Sequence, residues 1–209
     1  MNSMNDAVIV EAVRTPVGIG KPEKGSLSGI HPVDLSAYVI DALISRVGIE
    51  PENVDDVIWG CVGQVGEQSA NIARNAALAA GLPESVTGVS VDRQCGSSQQ
   101  AVHFAAAAVM SGQMDVVIAG GVESMSRVPM FSNMAGGDGP FGPRMLSRYP
   151  DLVNQGISAE MIADRWNLSR AMLDEIAAES QQRAARATKD ALFDAEITAV
   201  EASDGPVSH

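Results

Sequence analysis

The residue best suited to catalytic chemistry is Cys95, because it lies where a run of β-branched residues is followed by a small turn and an Ala-rich segment. Residues 89–91 precede it, Gly96-Ser-Ser follows it, and residues 101–110 are mostly apolar. This order predicts a strand, a bend that carries the thiol, and a helix that begins just after the bend. The first N–H groups of a helix lack intrahelical partners and lie at its positive end, so they favour the reactive thiolate.

The competing interpretation of Cys95 is a packing role, because a lone buried cysteine often behaves as a small hydrophobe. The order of strand, Cys, Gly and helix favours a nucleophile, since it supplies the field that stabilises a thiolate. The second cysteine, Cys61, lies on or just after another predicted strand and is predicted to be a packing residue. Two cysteines in 209 residues give no disulfide framework, so both are expected to be reduced.

A cysteine that exchanges acyl groups also needs a base, and the three histidines are the first candidates. His31 precedes the first predicted helix, where capping or solvent contact is expected. His103 lies eight residues after Cys95, which is about 12 Å along a helix axis, so a core histidine is predicted. His209 is the last residue of the sequence and carries little weight. The sequence therefore shows a nucleophile without its base.

Strands and helices alternate along the part of the chain that must position Cys95. The predicted strands are 7–13, 54–62, 86–91 and 116–119, and the predicted helices are 32–47, 70–80 and 97–111. The fold class is therefore α/β, with a βαβαβαβ unit, a mostly parallel sheet and helices on both faces. The helix after Cys95 is apolar nearly all round, which predicts that it is buried on every side. One sheet covers only one side, so a second sheet-bearing domain or another subunit is predicted to pack on the other.

The composition changes after this unit. Residues 127–156 are rich in Met, Gly, Pro and Arg without a sustained period, and helices are predicted over 158–166 and 169–188. Ser169 is the predicted N-cap of the longer helix. A strand is predicted over 195–200. Two domains are predicted, 1–122 with the nucleophile and a largely helical 123–209.

The bulk properties exclude some classes of function. The formal net charge of −12 argues against nucleic acid as a partner, because a basic surface is expected there. No apolar run approaches the roughly 20 residues that span a bilayer, and no secretory signal is evident. A cytoplasmic protein without a membrane partner is the expectation.

Several separate sequence motifs match those of one protein family and follow one another along the chain in the same order. They are Glu11-Ala-Val-Arg-Thr-Pro16, Ala70-Asn-Ile-Ala-Arg-Asn-Ala-Ala77, Arg93-Gln-Cys95-Gly-Ser-Ser, Asp115-Val-Val-Ile-Ala-Gly-Gly-Val-Glu-Ser-Met-Ser126 and, further on, Gly156-Ile-Ser-Ala-Glu-Met-Ile-Ala163 with Ser180-Gln-Gln-Arg-Ala184. Together they resemble the N-terminal half of a thiolase and part of its loop domain. The resemblance implies a thiolase-like fold whose C-terminal half is not in this sequence.

The resemblance implies an acyl-CoA acyltransferase. Cys95 would form a thioester during thiolytic cleavage of a 3-ketoacyl-CoA, or in the reverse Claisen condensation, with coenzyme A as co-substrate and no permanently bound cofactor or metal. The sequence Cys95-Gly-Ser-Ser resembles that of thiolases of lipid and sterol side-chain degradation. A ketoacyl-synthase type of condensing enzyme is the related alternative, and the Gly-Gly-Val-Glu-Ser-Met-Ser segment favours a thiolase.

The resemblance also defines what the sequence lacks. Thiolases carry Asn-Glu-Ala-Phe, Gly-His-Pro and Cys-x-Gly-Gly-Gly segments that supply the base and the second cysteine, and none is present here. Three explanations stay open: a fragment of a longer enzyme, an acyl-CoA-binding subunit of a split thiolase that needs a partner chain, and a remnant without catalysis.

The family also indicates where coenzyme A and a second subunit bind. Asn154-Gln155-Gly156 aligns with the CoA pocket of the loop domain, so Gln155 is a candidate contact. Arg144, Arg148 and Arg165 are candidates for the CoA phosphates, against the alternative of solvated surface arginines. The family associates as homodimers or homotetramers, which predicts the same here.

Overall fold

A computed structural model describes residues 6–202 and 205–207 of the chain. The chain divides into two compact units, one formed by residues 1–133 and 196–209 and the other by residues 134–195. The sequence placed its domain boundary at 122/123 instead. In the structure, residues 123–133 and the end of the chain belong to the first unit, and the second unit is a single inserted segment.

The first unit is built around a three-stranded parallel sheet. Its elements are α1 Pro32–Val47, β1 Asp56–Gly60, α2 Ile72–Ala79, β2 Thr87–Val91, α3 Ser97–Met110 and β3 Val117–Gly121. The strand order is β2-β1-β3. Asp56 is in register with Thr87 on one side and with Val117 on the other, so the three strands end together. The predicted α/β alternation and parallel sheet are confirmed.

The core of this unit surrounds β1. All five residues of that strand are buried, as an all-parallel sheet covered on both faces requires. Helix α2 contributes Ile72, Ala73, Ala76 and Ala77 to the same cluster. The one polar group of Trp59, its indole N–H, donates to Ser36 Oγ at 3.1 Å, so the large ring is buried without an unpaired donor.

A short hairpin completes the first unit. Strands β4 Val200–Ala202 and β5 Gly205–Val207 pair antiparallel. Val200 is fully buried and packs with Leu27 and Leu35 in a second apolar cluster. This cluster fastens the segment after residue 195 to the loop before α1.

The second unit is helical in its described elements. It contains α4 Pro143–Arg148, α5 Gln155–Arg165 and α6 Arg170–Lys189. The predicted cap of α6 is confirmed, because Ser169 Oγ accepts from the Met172 N–H. Asn154 caps α5 in the same way by accepting from the Ile157 N–H at 3.1 Å. The prediction of a largely helical domain in this region is confirmed.

One prediction about burial is wrong. Residues 7–13 were expected to form a buried strand, but they join no sheet in the described structure, and Val8, Ile9 and Val10 are 77%, 80% and 73% exposed. The physical reason is that their apolar surface faces a side on which the described chain provides no neighbour. Helix α3 buries Ser97, Ala101 and Ala105 within this chain, and the second domain or subunit on its far side stays a prediction.

None of the helices within residues 6–202 and 205–207 is both long and apolar enough to cross a membrane.

Candidate active site

Cys95 lies in the turn between β2 and α3. Gly96 is the N-cap of α3 and Ser97 is its first helical residue, so the thiol stands two residues before the helix. The buried Ser97 hydroxyl fixes the turn, because Ser97 Oγ accepts from the Arg93 N–H at 3.0 Å and donates to Gln94 O at 2.8 Å. The Gly96 N–H donates to Arg93 O at 3.0 Å. Cys95 thus lies at a helix start, as the sequence predicted.

The residue before the nucleophile candidate is strained. Gln94 has a φ of 45°, which non-glycine residues rarely adopt and which costs on the order of 1–3 kcal/mol. Asp92 offsets part of this cost, since its Oδ1 accepts from the Gln94 N–H at 2.7 Å. The left-handed residue turns the chain sharply between β2 and α3. Such strain at a turn that carries a thiol is typical of a functional position.

Two glycines bring the start of α3 against the sheet. A Cβ at Gly60 would lie 2.3 Å from Ser98 N, and a Cβ at Gly121 would lie 2.1 Å from Ser98 Oγ. Both distances are shorter than any real contact of a Cβ atom. The ends of β1 and β3 therefore form a floor without side chains, and the helix start that carries Cys95 packs directly on this floor.

A polar network ties the strand ends together beside this floor. The Glu123 carboxylate accepts from the Val62 N–H at 2.8 Å, from the Gly63 N–H at 3.3 Å and from Gln68 Nε2 at 2.8 Å. Gln68 is fully buried, and its Oε1 accepts from the Ser124 N–H at 2.7 Å. This network was not predicted from the sequence, although an acidic residue two positions after the Gly-Gly end of a strand is a signal for it.

The two cysteines differ sharply in their surroundings. Cys95 is exposed, whereas Cys61 is 1% exposed. Burial, followed by the negative charges of Glu123 and Asp92, raises the pKa of the Cys61 thiol to about 12. Cys61 is thus a protonated packing residue, as the sequence predicted. Cys95 is the thiol that a reagent or an acyl donor can reach.

No hydrogen bond reaches the Cys95 sulfur from any residue in the described part of the chain. His31 is an N-cap, because its Nδ1 accepts from the Val33 N–H at 3.2 Å, and its Nε2 lies 4.0 Å from Glu67. His103 was predicted to be a core histidine, which is wrong, since it is exposed on α3. The terminal His209 lies outside the described residues.

The candidate CoA residues lie in the second unit. Arg144 and Arg148 are exposed on α4, and Gln155 is the exposed first residue of α5. The guanidinium of Arg148 stands over the Tyr149 ring at 5.7 Å from its centre. Arg165 stands over the Trp166 ring at 5.1 Å. Arg148 and Arg165 thus each pair their charge with an exposed aromatic face, an arrangement that can hold a phosphate or an adenine ring.

Comparison with known families decides what this arrangement belongs to. The family described as "Thiolase, N-terminal domain" matches residues 7–207, which is nearly the whole chain. The chain belongs to the thiolase family. The predicted thiolase resemblance is confirmed, and the matched residues include the turn between β2 and α3 that carries Cys95.

Curated thiolases show similar agreement. The chain is 47% identical over 212 residues to the steroid 3-ketoacyl-CoA thiolase FadA6 of Mycobacterium tuberculosis, covering 97% of this chain and 51% of that protein. It is 42% identical over 203 residues to the 3-ketoacyl-CoA thiolase of Photobacterium profundum, covering 96% of this chain and 51% of that protein. This thiolase chain therefore spans about half the length of these relatives.

A solved structure supports the fold. The crystal structure of the Bacillus anthracis acetyl-CoA acetyltransferase superposes with a TM-score of 0.81 at 34% identity, covering all of this chain and 54% of that one. The thiolase fold predicted from the motifs is thus confirmed in three dimensions.

Proposed function

We propose that this chain supplies the nucleophile-bearing half of an acyl-CoA acyltransferase of the thiolase type. The observation that carries the proposal is the exposed Cys95 at the start of α3, held by Ser97 and by the glycine floor of Gly60 and Gly121. The curated relatives that share this chain's sequence are named 3-ketoacyl-CoA thiolases.

In the proposed reaction, the Cys95 thiolate adds to the 3-keto carbon of a 3-ketoacyl-CoA. The bond between C2 and C3 then breaks, its electron pair stays on C2, and a proton completes the departing acetyl-CoA. The shortened acyl group remains on the Cys95 sulfur as a thioester. The thiol of coenzyme A, after losing its proton to a base, takes the acyl group and restores the thiolate. No cofactor is needed, because both proton transfers and the thioester use protein groups and the co-substrate.

The proposed base comes from polypeptide that this chain does not contain. The described residues offer Cys95 no hydrogen-bonding partner, and the relatives are about twice as long. The N–H groups at the start of α3 supply part of the stabilisation of the anionic sulfur by themselves. The second half would then supply the proton transfers and the complementary part of the pocket.

The proposed substrate class is the 3-ketoacyl-CoA of a lipid or sterol side chain. It is supported by the steroid thiolase among the relatives and by the Cys95-Gly-Ser-Ser sequence. We place coenzyme A on the largely helical region, with Arg144 and Arg148 toward its phosphates and Gln155 at its pocket. Assembly as a homodimer or homotetramer and a cytoplasmic location remain predictions from the family resemblance and the sequence.

Exchange of labelled coenzyme A into an acyl-CoA tests the proposal. The exchange requires an acyl group to reside on the protein, and thiol–thioester exchange by Cys95 is sufficient for it. We expect exchange with the native protein and with Cys61→Ser, and no exchange above background with Cys95→Ser. Undiminished exchange in Cys95→Ser would remove Cys95 from the mechanism. Absence of exchange in the native chain that is restored by adding a second polypeptide would favour the split-subunit alternative.

A further inference from the structure

Glu123 is exposed to solvent, yet its carboxylate is held by donors of the protein itself. Its oxygens accept from the Val62 N–H at 2.8 Å, from the Gly63 N–H at 3.3 Å and from Gln68 Nε2 at 2.8 Å. Gln68 is fixed in turn, because it is fully buried and its Oε1 accepts from the Ser124 N–H at 2.7 Å. Hydrogen bonds to an ionised group are stronger than those between neutral groups, so this carboxylate holds the backbone around it. The proposed reaction gives it no role.

These hydrogen bonds connect the ends of all three parallel strands. Val62 follows β1 and Glu123 follows β3, so the carboxylate ties the ends of these two strands together. The Cys61 N–H then donates at 3.0 Å to the carbonyl oxygen of Val91, the last residue of β2. Because the three strands are in register and end together, the hydrogen bonds form one row from β3 through β1 to β2.

This row leads into the turn that carries Cys95. Strand β2 is followed directly by Asp92, whose Oδ1 accepts from the Gln94 N–H at 2.7 Å and so holds the strained residue before the thiol. Cys61 lies close to both carboxylates, since after burial the negative charges of Glu123 and then of Asp92 raise the pKa of its thiol. The loop after β1 therefore lies against Glu123 on one side and against the start of the Cys95 turn on the other.

We propose that Glu123 is a positioning residue that fixes the Cys95 turn against the ends of the strands. The proposal rests on the proposed function, in which Cys95 is the nucleophile. Glu123 acts through the backbone of Val62 and Cys61 on Val91, and it makes no hydrogen bond to the Cys95 sulfur in the described part of the chain. Without these hydrogen bonds the turn can move relative to the start of α3, whose N–H groups favour the thiolate. A displacement of about 1 Å at a reacting group lowers a rate by roughly 10²-fold.

Asp55 provides a matched control at the opposite end of the same sheet. It directly precedes β1, and its Oδ2 accepts from the Asp115 and Val116 N–H groups at 2.7 Å and 2.9 Å. Like Glu123, it is an exposed carboxylate that joins β1 to β3 through backbone N–H groups. Unlike Glu123, it lies where the strands begin, whereas Cys95 follows a strand end. Asp55→Asn therefore removes a comparable charge without reaching the Cys95 turn.

The rate at which iodoacetamide labels Cys95 in the whole chain tests the proposal. In Glu123→Gln the new amide N–H₂ faces one of the donors that the carboxylate accepted, so the row is broken. At pH 7 we expect Cys95 to label at least five-fold more slowly in Glu123→Gln than in the native protein, and Asp55→Asn to stay within two-fold of native. At pH 10, above the ordinary thiol pKa of about 8.5, all three proteins should label within two-fold of one another, because ionisation is then nearly complete. A role confined to stability does not produce this dependence on pH.

Two results with these variants would overturn the proposal. Equal labelling of Glu123→Gln and Asp55→Asn at pH 7 would show that the carboxylate does not position the turn. Faster labelling of Glu123→Gln would show that the charge of Glu123, and not its hydrogen bonds, acts on the sulfur.

A third variant keeps the test decisive if Glu123→Gln does not fold. Glu123→Asp retains the charge on a side chain that is one methylene shorter, so it should also label at least five-fold more slowly at pH 7, and a native rate would refute the proposal. Iodoacetamide reports on the sulfur without any acyl group. The labelling contrast in a protein that exchanges no coenzyme A would therefore refute the proposed function and still support the positioning of the thiol by Glu123.

Discussion

Substitution of Gly60 by Ala is expected to disturb the nucleophile turn from a distance. The added Cβ would lie 2.3 Å from Ser98 N, and ordinary contact begins at 3.4 Å, so the helix start has to move by about 1 Å. Overpacking of this kind costs about 1–3 kcal/mol of stability. A shift of about 1 Å at a reacting group lowers catalysis by roughly 10²-fold. Both effects are therefore expected together.

Two measurements check this prediction. The free energy of unfolding of Gly60→Ala is obtained from urea denaturation, and the reactivity of Cys95 from its rate of labelling by iodoacetamide, with the buried Cys61 as an internal reference. Gly29→Ala is the matched control, because a Cβ there has no atom within 4 Å. If Gly60→Ala is as stable as Gly29→Ala and labels at the same rate, the glycine floor does not position Cys95.

Three further predictions concern individual side chains. In the native chain, iodoacetamide should modify Cys95 and leave Cys61 unmodified until the protein unfolds, which peptide mapping detects. Glu123→Gln should lower the free energy of unfolding by about 1 kcal/mol, because the new amide N–H₂ replaces a carboxylate oxygen that accepts from Gln68 Nε2, and two donors then face each other. Two backbone N–H groups lower the pKa of Asp55 below its ordinary value of 3.8, so its carboxylate stabilises the fold above that pH. Asp55→Asn should lose at most about 1 kcal/mol at pH 7, and the difference should vanish as the pH falls below the folded-state pKa.

The sequence predicts local features of this fold well. Ser169 at the start of α6 and the Gly48 that follows α1 are capping signals within a few residues of the elements they end. The turn around Cys95 is also encoded locally, by a strand, a Gly and a helix in immediate succession. These elements follow from neighbouring residues alone, so the α/β order and the place of the thiol could be derived without a structure.

Contacts between distant residues explain what the sequence did not predict. Glu123 and Gln68 are 55 positions apart, and only the ends of β1 and β3 bring them together. The same limit applies to residues 7–13, which have the composition of a buried strand although the described chain provides no strand beside them. His103 was assigned to the core because about 12 Å along the helix axis separates it from Cys95, but the described residues supply no surface that covers it.

The glycine floor is a further case. Gly60, Gly120 and Gly121 could be read from the sequence only as strand ends, whereas the structure shows that two of them admit the start of α3. Gly120 instead faces the Trp59 ring, since a Cβ there would lie 2.5 Å from it. The function of each glycine depends on which element packs above it, and that information is tertiary.

The most direct test of the central claim is the detection of an acyl group on the Cys95 sulfur. The native protein is incubated with an acyl-CoA, quenched in acid to preserve thioesters, digested and examined by tandem mass spectrometry. The peptide containing Cys95 is expected to gain the mass of the acyl group and to lose it on addition of coenzyme A. An acyl group found only on other residues, or on Cys61, would contradict the assignment of Cys95 as the nucleophile.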